Sequence, residues 1–215
     1  MNLGEILRRV RSLVSVDDYN LVTRQQMIDF INDAQMDIAS VTECLRGVET
    51  TTVSEGVRDY SFDADFLRVT KVVFDDKTLG QATIAGLDAL DEDWRDDEGT
   101  PTKYFMDESL TWLSLYPKPD SDADGKTLEL HVIYKPAILS DDTDTPEIPT
   151  QYHSVIVDYV ISQLKKIAGD YNAAVINYRF YQGGRDKVKR LVAKQESKPM
   201  RFRPSVKYYP QQRYE

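Results

Sequence analysis

The segment Gln151-Tyr152-His153-Ser154-Val155-Ile156-Val157-Asp158-Tyr159-Val160-Ile161-Ser162-Gln163-Leu164-Lys165-Lys166-Ile167-Ala168-Gly169-Asp170 decides the fold class of this chain. Tyr152, Val155, Ile156, Tyr159, Val160, Leu164 and Ile167 recur every three or four residues, so they share one stripe of an α-helix. Gly169-Asp170 ends the stripe, since glycine accepts the left-handed backbone that closes a helix. A second helical pattern follows at once, with Ala173, Ala174, Ile176, Tyr178 and Phe180, then Val188, Leu191 and Val192 beyond Gly183-Gly184, where a kink or break is expected. The two-residue link makes the helices antiparallel neighbours.

The opposite end of the chain carries matching helices. Leu3, Ile6, Leu7, Val10 and Val14 form a short amphipathic pattern, and a polar break follows. Thr23 and Gln26 have the spacing of a capping box, and Met27, Ile28, Phe30, Ile31, Ala34 and Ile38 then supply an apolar face, which predicts a helix from Arg24 to Leu45.

Between the helical ends the period is that of strands. Thr50 to Val53 and Val57 to Phe62 flank the turn Ser54-Glu55-Gly56 and read as a hairpin; Phe66 to Phe74 is a further strand. Ile84 to Asp97 reads as a helix stopped by Gly99-Thr100-Pro101. Leu110 to Tyr116 and Thr127 to Tyr134 read as strands, and their succession predicts an antiparallel hairpin with a long loop; Leu128, Leu130, Val132 and Tyr134 share one face.

The expected fold is therefore α+β: a helical bundle from the N- and C-terminal helices, an inserted antiparallel β-rich subdomain, and an extended C-terminal arm. The boundaries are 1–48 and 149–197 for the helical core, 49–148 for the insertion and 198–215 for the arm. Pro199, Pro204 and Pro210 keep the arm out of the preceding helix, and extended it would reach about 60 Å at ~3.3 Å per residue.

Hydrophobic residues at 41% and charged residues at 29% are ordinary for a globular chain, whose net charge is −9. That charge is unevenly spread. Thr51 to Thr150 holds 23 acidic against 9 basic residues, densest at Asp91-Glu92-Asp93, Asp96-Asp97-Glu98 and Asp141-Asp142-Thr143-Asp144, whereas the arm holds five basic residues against one acidic. An acidic middle repels nucleic acid, and a basic aromatic end seeks an acidic protein surface or phosphates. No run approaches the roughly 18 apolar residues of a membrane span, and Met1 to Val10 lacks an export stretch, so the product is expected to stay where it is made.

Catalytic signatures are missing from the sequence. His131 and His153 stand apart, without a partner or metal-ligand spacing, and there is no phosphate-binding glycine loop, zinc-protease motif or cysteine pair. Cys44, the single cysteine, reads as a small buried hydrophobe in a reducing compartment. Asp141-Asp142-Thr143-Asp144 reads as a solvated, divalent-tolerant surface. No catalytic residue, cofactor or metal is expected.

The order of segments resembles the head-to-tail adaptor, or connector, family of tailed bacteriophages. The resemblance lies in Tyr60-Ser61-Phe62-Asp63-Ala64-Asp65-Phe66-Leu67-Arg68-Val69-Thr70-Lys71-Val72, in Gly99-Thr100-Pro101-Thr102-Lys103-Tyr104, in Leu115-Tyr116-Pro117-Lys118-Pro119-Asp120, in Tyr134-Lys135-Pro136, and in Glu147-Ile148-Pro149-Thr150 leading into the paired helices. The chain departs from the family at Gly183-Gly184, where a continuous helix is usual, and at Ser61-Phe62-Asp63, where a leucine-proline pair is more typical.

The resemblance implies a non-enzymatic virion protein made in the host cytoplasm. It would dock beneath the portal ring, repeat around the channel, commonly in twelve copies, carry passing double-stranded DNA without binding it specifically, and offer a platform to the tail nozzle or tube. Alternatives are a tail-tube or tail-completion subunit, and a soluble acidic enzyme or binding module. In the arm, Met200, Phe202, Val206, Tyr208 and Tyr209 among Arg201, Arg203 and Arg213 are the expected portal contacts, with the side-chain alternation of a strand. Tyr178, Phe180 and Tyr181 are the expected contacts between copies, because one helix face cannot bury all of them.

Overall fold

The computed structural model describes residues 1–62, 65–106 and 112–196; the arm, with every expected portal contact from Met200 to Arg213, lies outside the described residues. Helix α1 (Leu3–Leu13) opens with a capping box in which Asn2 Oδ1 accepts from the Glu5 amide at 2.8 Å and Glu5 Oε2 from the Asn2 amide at 3.0 Å. The polar break is itself a short helix, α2 (Val16–Asn20), capped by Ser15. Helix α3 (Arg24–Thr42) starts at the predicted Thr23/Gln26 box and stops at Glu43, whose left-handed backbone (φ 53°) ends it before Leu45. Near the C-terminus stand α5 (His153–Ile167) and α6 (Tyr171–Glu196), joined through Gly169 at φ 79°.

These helices share one apolar core that includes Leu3, Ile6, Ile31, Ile38, Ile156, Val160 and Leu164. Each of these side chains is fully buried. Burial of an aliphatic side chain contributes about 1.5–3 kcal/mol, far more than the propensity of any one helix residue.

The expected break in the last helix does not occur: α6 runs unbroken through Gly183-Gly184. A Cβ on Gly184 would lie 2.5 Å from Val155 Cγ2 of α5, so the residue is glycine because the helices cross too closely for anything larger. A Cβ on Gly183 would meet nothing within 4 Å.

The β elements are β1 (Arg46–Thr52), β2 (Asp59–Ser61), β3 (Phe66–Phe74), β4 (Lys77–Thr78), β5 (Gly80–Gln81), β6 (Glu98–Gly99), β7 (Lys103–Met106), β8 (Trp112–Tyr116), β9 (Lys118–Pro119) and β10 (Thr127–Tyr134). They form a sheet of order β1-β10-β3-β4, a second of order β2-β8-β7-β5, and the pair β6-β9. All pairings are antiparallel except the short β5-β7 and β6-β9. Val72, Phe74, Leu128, Leu130 and Val132 of the first sheet bury against Tyr60, Tyr104, Leu113 and Leu115 of the second in one shared cluster.

Both hairpins expected from the sequence are absent. The turn at Ser54 forms, with the Val57 amide donating to Ser54 O at 3.2 Å and Gly56 at φ 72°, but β1 pairs with β10 and β2 with β8. Likewise β8 and β10 lie in different sheets. A strand has two edges: those of β10 are taken by β1 and β3, and those of β8 by β2 and β7, so neither can accept the other. The expected helix over Ile84 to Asp97 is only α4 (Ile84–Asp88) followed by a 3-10 turn at Trp94–Asp96. Trp94 is drawn inward onto Phe105 and Tyr116, edge to face at 5.5 and 5.8 Å, which a continuous helix would prevent.

The chain returns from β10 to α5 along α3. Asn32 accepts from the Leu139 amide at 2.9 Å and donates to Leu139 O at 3.0 Å, and Gln35 donates to Ala137 O at 2.7 Å. Two side-chain amides thus satisfy the backbone of a segment that belongs to no sheet.

The glycine pair gives a direct test of this packing. Gly184→Ala should be destabilised, because displacing Val155 costs about 1–3 kcal/mol against a helix gain of ~1 kcal/mol. Gly183→Ala should be stabilised by ~1 kcal/mol. Urea midpoints moving in opposite directions would verify the crossing; equal shifts would contradict it.

Candidate functional site

The three aromatic residues expected at a subunit contact divide. Tyr181 has no exposed surface; it belongs to the monomer core, packed on Tyr159 at 5.0 Å and Tyr178 at 5.7 Å between ring centres. Its hydroxyl donates to Asp37 of α3, whose carboxylate also takes Arg185 Nη1 at 2.6 Å. Burial, reinforced by the bond to Asp37, holds the phenol far above its ordinary pKa, so it stays a donor at all working pH. The spacing of seven between Ala174, Tyr181 and Val188 is the signal that marks this buried seam in the sequence.

Phe180 is 61% exposed and Tyr178 39%; two positions apart, they lie on opposite flanks of the exposed surface of α6, Tyr178 with Tyr171 and Val175 and Phe180 with Ile176, and Tyr171, Val175 and Ile176 are each at least half exposed. This outer surface is not required by the monomer's packing. Two grooves run beside it. One, about 510 Å³, lies between Tyr159, Gln163 and Lys166 of α5 and Tyr171, Val175 and Tyr178 of α6. The other, about 400 Å³, lies between the start of α5 and the turn of α6 that holds Phe180, Gly183 and Lys187.

The histidines are placed structurally. His153 is 1% exposed; its Nε2 lies 2.9 Å from Ile148 O, and its Nδ1 lies 2.9 and 3.0 Å from the Met1 backbone nitrogen and carbonyl oxygen. It joins α1 to the segment entering α5. His131 lies on β10, partly exposed, with Glu129 Oε2 at 4.0 Å. Cys44 is half-buried, and burial raises its thiol pKa, which disfavours the reactive thiolate. Among the described residues no group of three or more His, Cys, Asp or Glu is arranged to hold a metal ion.

The acidic runs have separate roles. Asp141 to Asp144, expected as a solvated surface, is exposed from Asp141 to Thr143 and at the same time forms a loop that caps α1. Leu3 and Gly4 amides donate to Asp144 O at 2.8 Å and Asp142 O at 3.0 Å, Arg24 pairs with Asp142, and the Asp144 carboxylate takes the Ser140 and Asp141 amides, both at 2.8 Å. Those amide bonds, the one from Ser140 foremost, lower the Asp144 pKa. The run from Asp88 to Glu98 is fastened at Trp94, whose indole donates to Asp88 Oδ1 at 2.7 Å while the Arg95 and Arg58 guanidinia cover its ring at 4.4 and 5.1 Å. The Trp94 bond, then that from Arg95, lowers the Asp88 pKa. Leu90, Asp91, Glu92 and Asp93 project from this anchored lobe, all exposed.

Many of the conspicuous polar side chains thus hold segments of the chain together, and α6 exposes aromatic side chains. The family model described as SU10 adaptor protein matches residues 1–205, and the chain belongs to that family of phage head-to-tail adaptors. No curated protein matches the chain. Membership makes it a structural protein of the virion, and no helix among the described residues is long and apolar enough to cross a membrane.

Two measurements test these placements. Tyr181→Ala should cost about 3–5 kcal/mol and lower the melting temperature clearly, whereas Phe180→Ala should change stability by less than about 0.5 kcal/mol. Asp144 has a depressed folded-state pKa, so its stabilisation is complete above the ordinary value of 3.8 and lost as pH falls through the lowered one. Asp144→Ala should therefore be less stable than the parent at neutral pH, and the gap should close in acid; a gap independent of pH would refute the assignment.

Proposed function

We propose that the chain is the adaptor that docks beneath the portal ring, repeats around the DNA channel, in twelve copies by the family resemblance, and presents the attachment surface for the tail. The observation that carries this is the aromatic surface α6 leaves exposed: Tyr178 on one flank and Phe180 on the other, on a helix whose inner face is locked by Gly184 and Tyr181. Tyrosine and phenylalanine contribute large contact area at small entropic loss, which suits a contact between copies.

Portal affinity comes in this reading from the C-terminal arm, residues 198–215, through Met200, Arg201, Phe202, Arg203, Val206, Tyr208, Tyr209 and Arg213. Part of the acidic span from Asp91 to Asp144 faces passing DNA, where like charge keeps the duplex from adhering; basic residues would instead gain affinity by releasing counterions from phosphate. No group of the chain acts on a substrate.

The decisive experiment is a truncation before Lys198. The shortened protein should keep its melting temperature and lose most binding to purified portal in a sedimentation assay. Unchanged binding would refute the role of the arm, and failure of the intact chain to bind portal would refute the adaptor reading.

A further inference from the structure

Gly183 is exposed on α6, and the monomer's packing does not require a glycine there. An exposed glycine inside a helix weakens it relative to alanine, and here a side chain would meet nothing. Its bareness leaves the groove beside it open, floored by Val155 and Gly184 and walled by Phe180. Arg179 and Lys187 line the rim, with Arg190 exposed one turn further along. Two acidic groups are nearby: Asp158 in the groove, whose pKa burial raises against the opposing pull of Arg9, and Asp186 on the outer surface.

The opposite shape and charge occur elsewhere on the same chain. Leu90 is 73% exposed, a large apolar side chain followed directly by exposed Asp91, Glu92 and Asp93. It does not dangle. The Leu90 and Asp91 amides both donate to Leu87 O at 3.0 Å, the Asp93 amide donates to Asp91 Oδ1 at 2.9 Å, and Leu87 and Trp94 bury in a satellite core with Phe105. An exposed leucine followed by three carboxylates is thus presented by an anchored lobe, and a groove lined mostly by polar groups, with Val155 and Phe180 as its apolar part and Arg179 and Lys187 on its rim, lies on α6.

We infer that Leu90 of one copy seats in the groove beside Gly183 of the next, with Asp91, Glu92 and Asp93 facing Arg179, Lys187 and Arg190. This deepens the reading of α6 as the contact between copies and rests on it. The two patches differ, so the contact is heterologous: each copy offers a knob to one neighbour and a groove to the other, and the series closes into a ring when the rotation permits. Rim charges of opposite sign speed and orient the encounter, while the buried leucine and Phe180 supply the apolar contact.

The test mixes two full-length variants, Leu90→Cys and Gly183→Cys, each also carrying Cys44→Ser so that only the new thiols react. Oxidation at high protein concentration and low salt should give the mixed disulfide well above its statistical share. Lys187→Glu with Arg190→Glu in the groove variant should reduce that yield roughly tenfold, and Asp91→Lys with Asp93→Lys in the knob variant should restore it. A statistical mixture of disulfides, or charge reversals without effect, overturns the pairing. Light scattering on Phe180→Asp separates this from the reading beneath. Loss of self-association together with statistical disulfides leaves α6 as the contact and removes only Leu90 as its partner; unchanged self-association removes the α6 contact and the pairing with it.

Discussion

Where α6 meets α5, a methyl group on Gly184 would come within 2.5 Å of Val155 Cγ2. The two helices therefore approach to a distance that only glycine permits, and the rest of the helical region is arranged around that approach. It sets the rotation of α6, which turns Ala174, Tyr181 and Val188 inward and leaves Val175, Tyr178 and Phe180 outside. It also brings Tyr181 and Arg185 onto Asp37 of α3, so that the last helix is bound to the N-terminal ones by a buried hydroxyl and a guanidinium sharing one carboxylate. Arg185 Nη1 and the Tyr181 hydroxyl find that carboxylate, while the buried Arg185 Nε has no hydrogen-bond partner among the described residues. The aromatic outer face is thus a consequence of the crossing.

A second constraint operates on the segments without regular structure. The path from β10 to α5 holds its backbone by side chains: Asn32 and Gln35 from α3, Glu147 onto the Ala137 amide at 3.1 Å, Asp144 onto Ser140 and Asp141, and His153 onto Ile148 and Met1. Most of the conspicuous polar residues are thereby accounted for. His153 and the Asp144 and Glu147 carboxylates are engaged in satisfying main-chain groups.

Several elements were legible from local pattern alone. The capping box at Thr23 and Gln26 located the start of α3, because the two side chains and the two amides they cap lie within one turn. Phe66 to Phe74 was recognisable as a strand from its β-branched and aromatic run, and Gly169 marked the end of α5 through the left-handed backbone it adopts. The resemblance to the adaptor family, carried by the order of such blocks, anticipated both the family and the α+β class. The glycine pair, which reads locally as a kink or break and as a departure from the family's continuous helix, is instead spanned by an unbroken α6.

What the sequence determined by itself was therefore what neighbours in the chain decide among themselves: helix starts and stops, strand alternation and the excess of acidic residues in the middle. What only the tertiary structure decided was which strand edges met, which side of α6 was inside, and what the polar residues bonded to. Strand partners follow from competition for two edges, so β8 and β10 could be read correctly as strands and wrongly as a hairpin. Tyr181 and Phe180 are adjacent in sequence and equally aromatic, yet about 100° apart around a helix. One is locked in the core and the other is largely exposed, because the glycine that sets the helix crossing is three residues beyond Tyr181 and has no meaning until Val155 is brought against it.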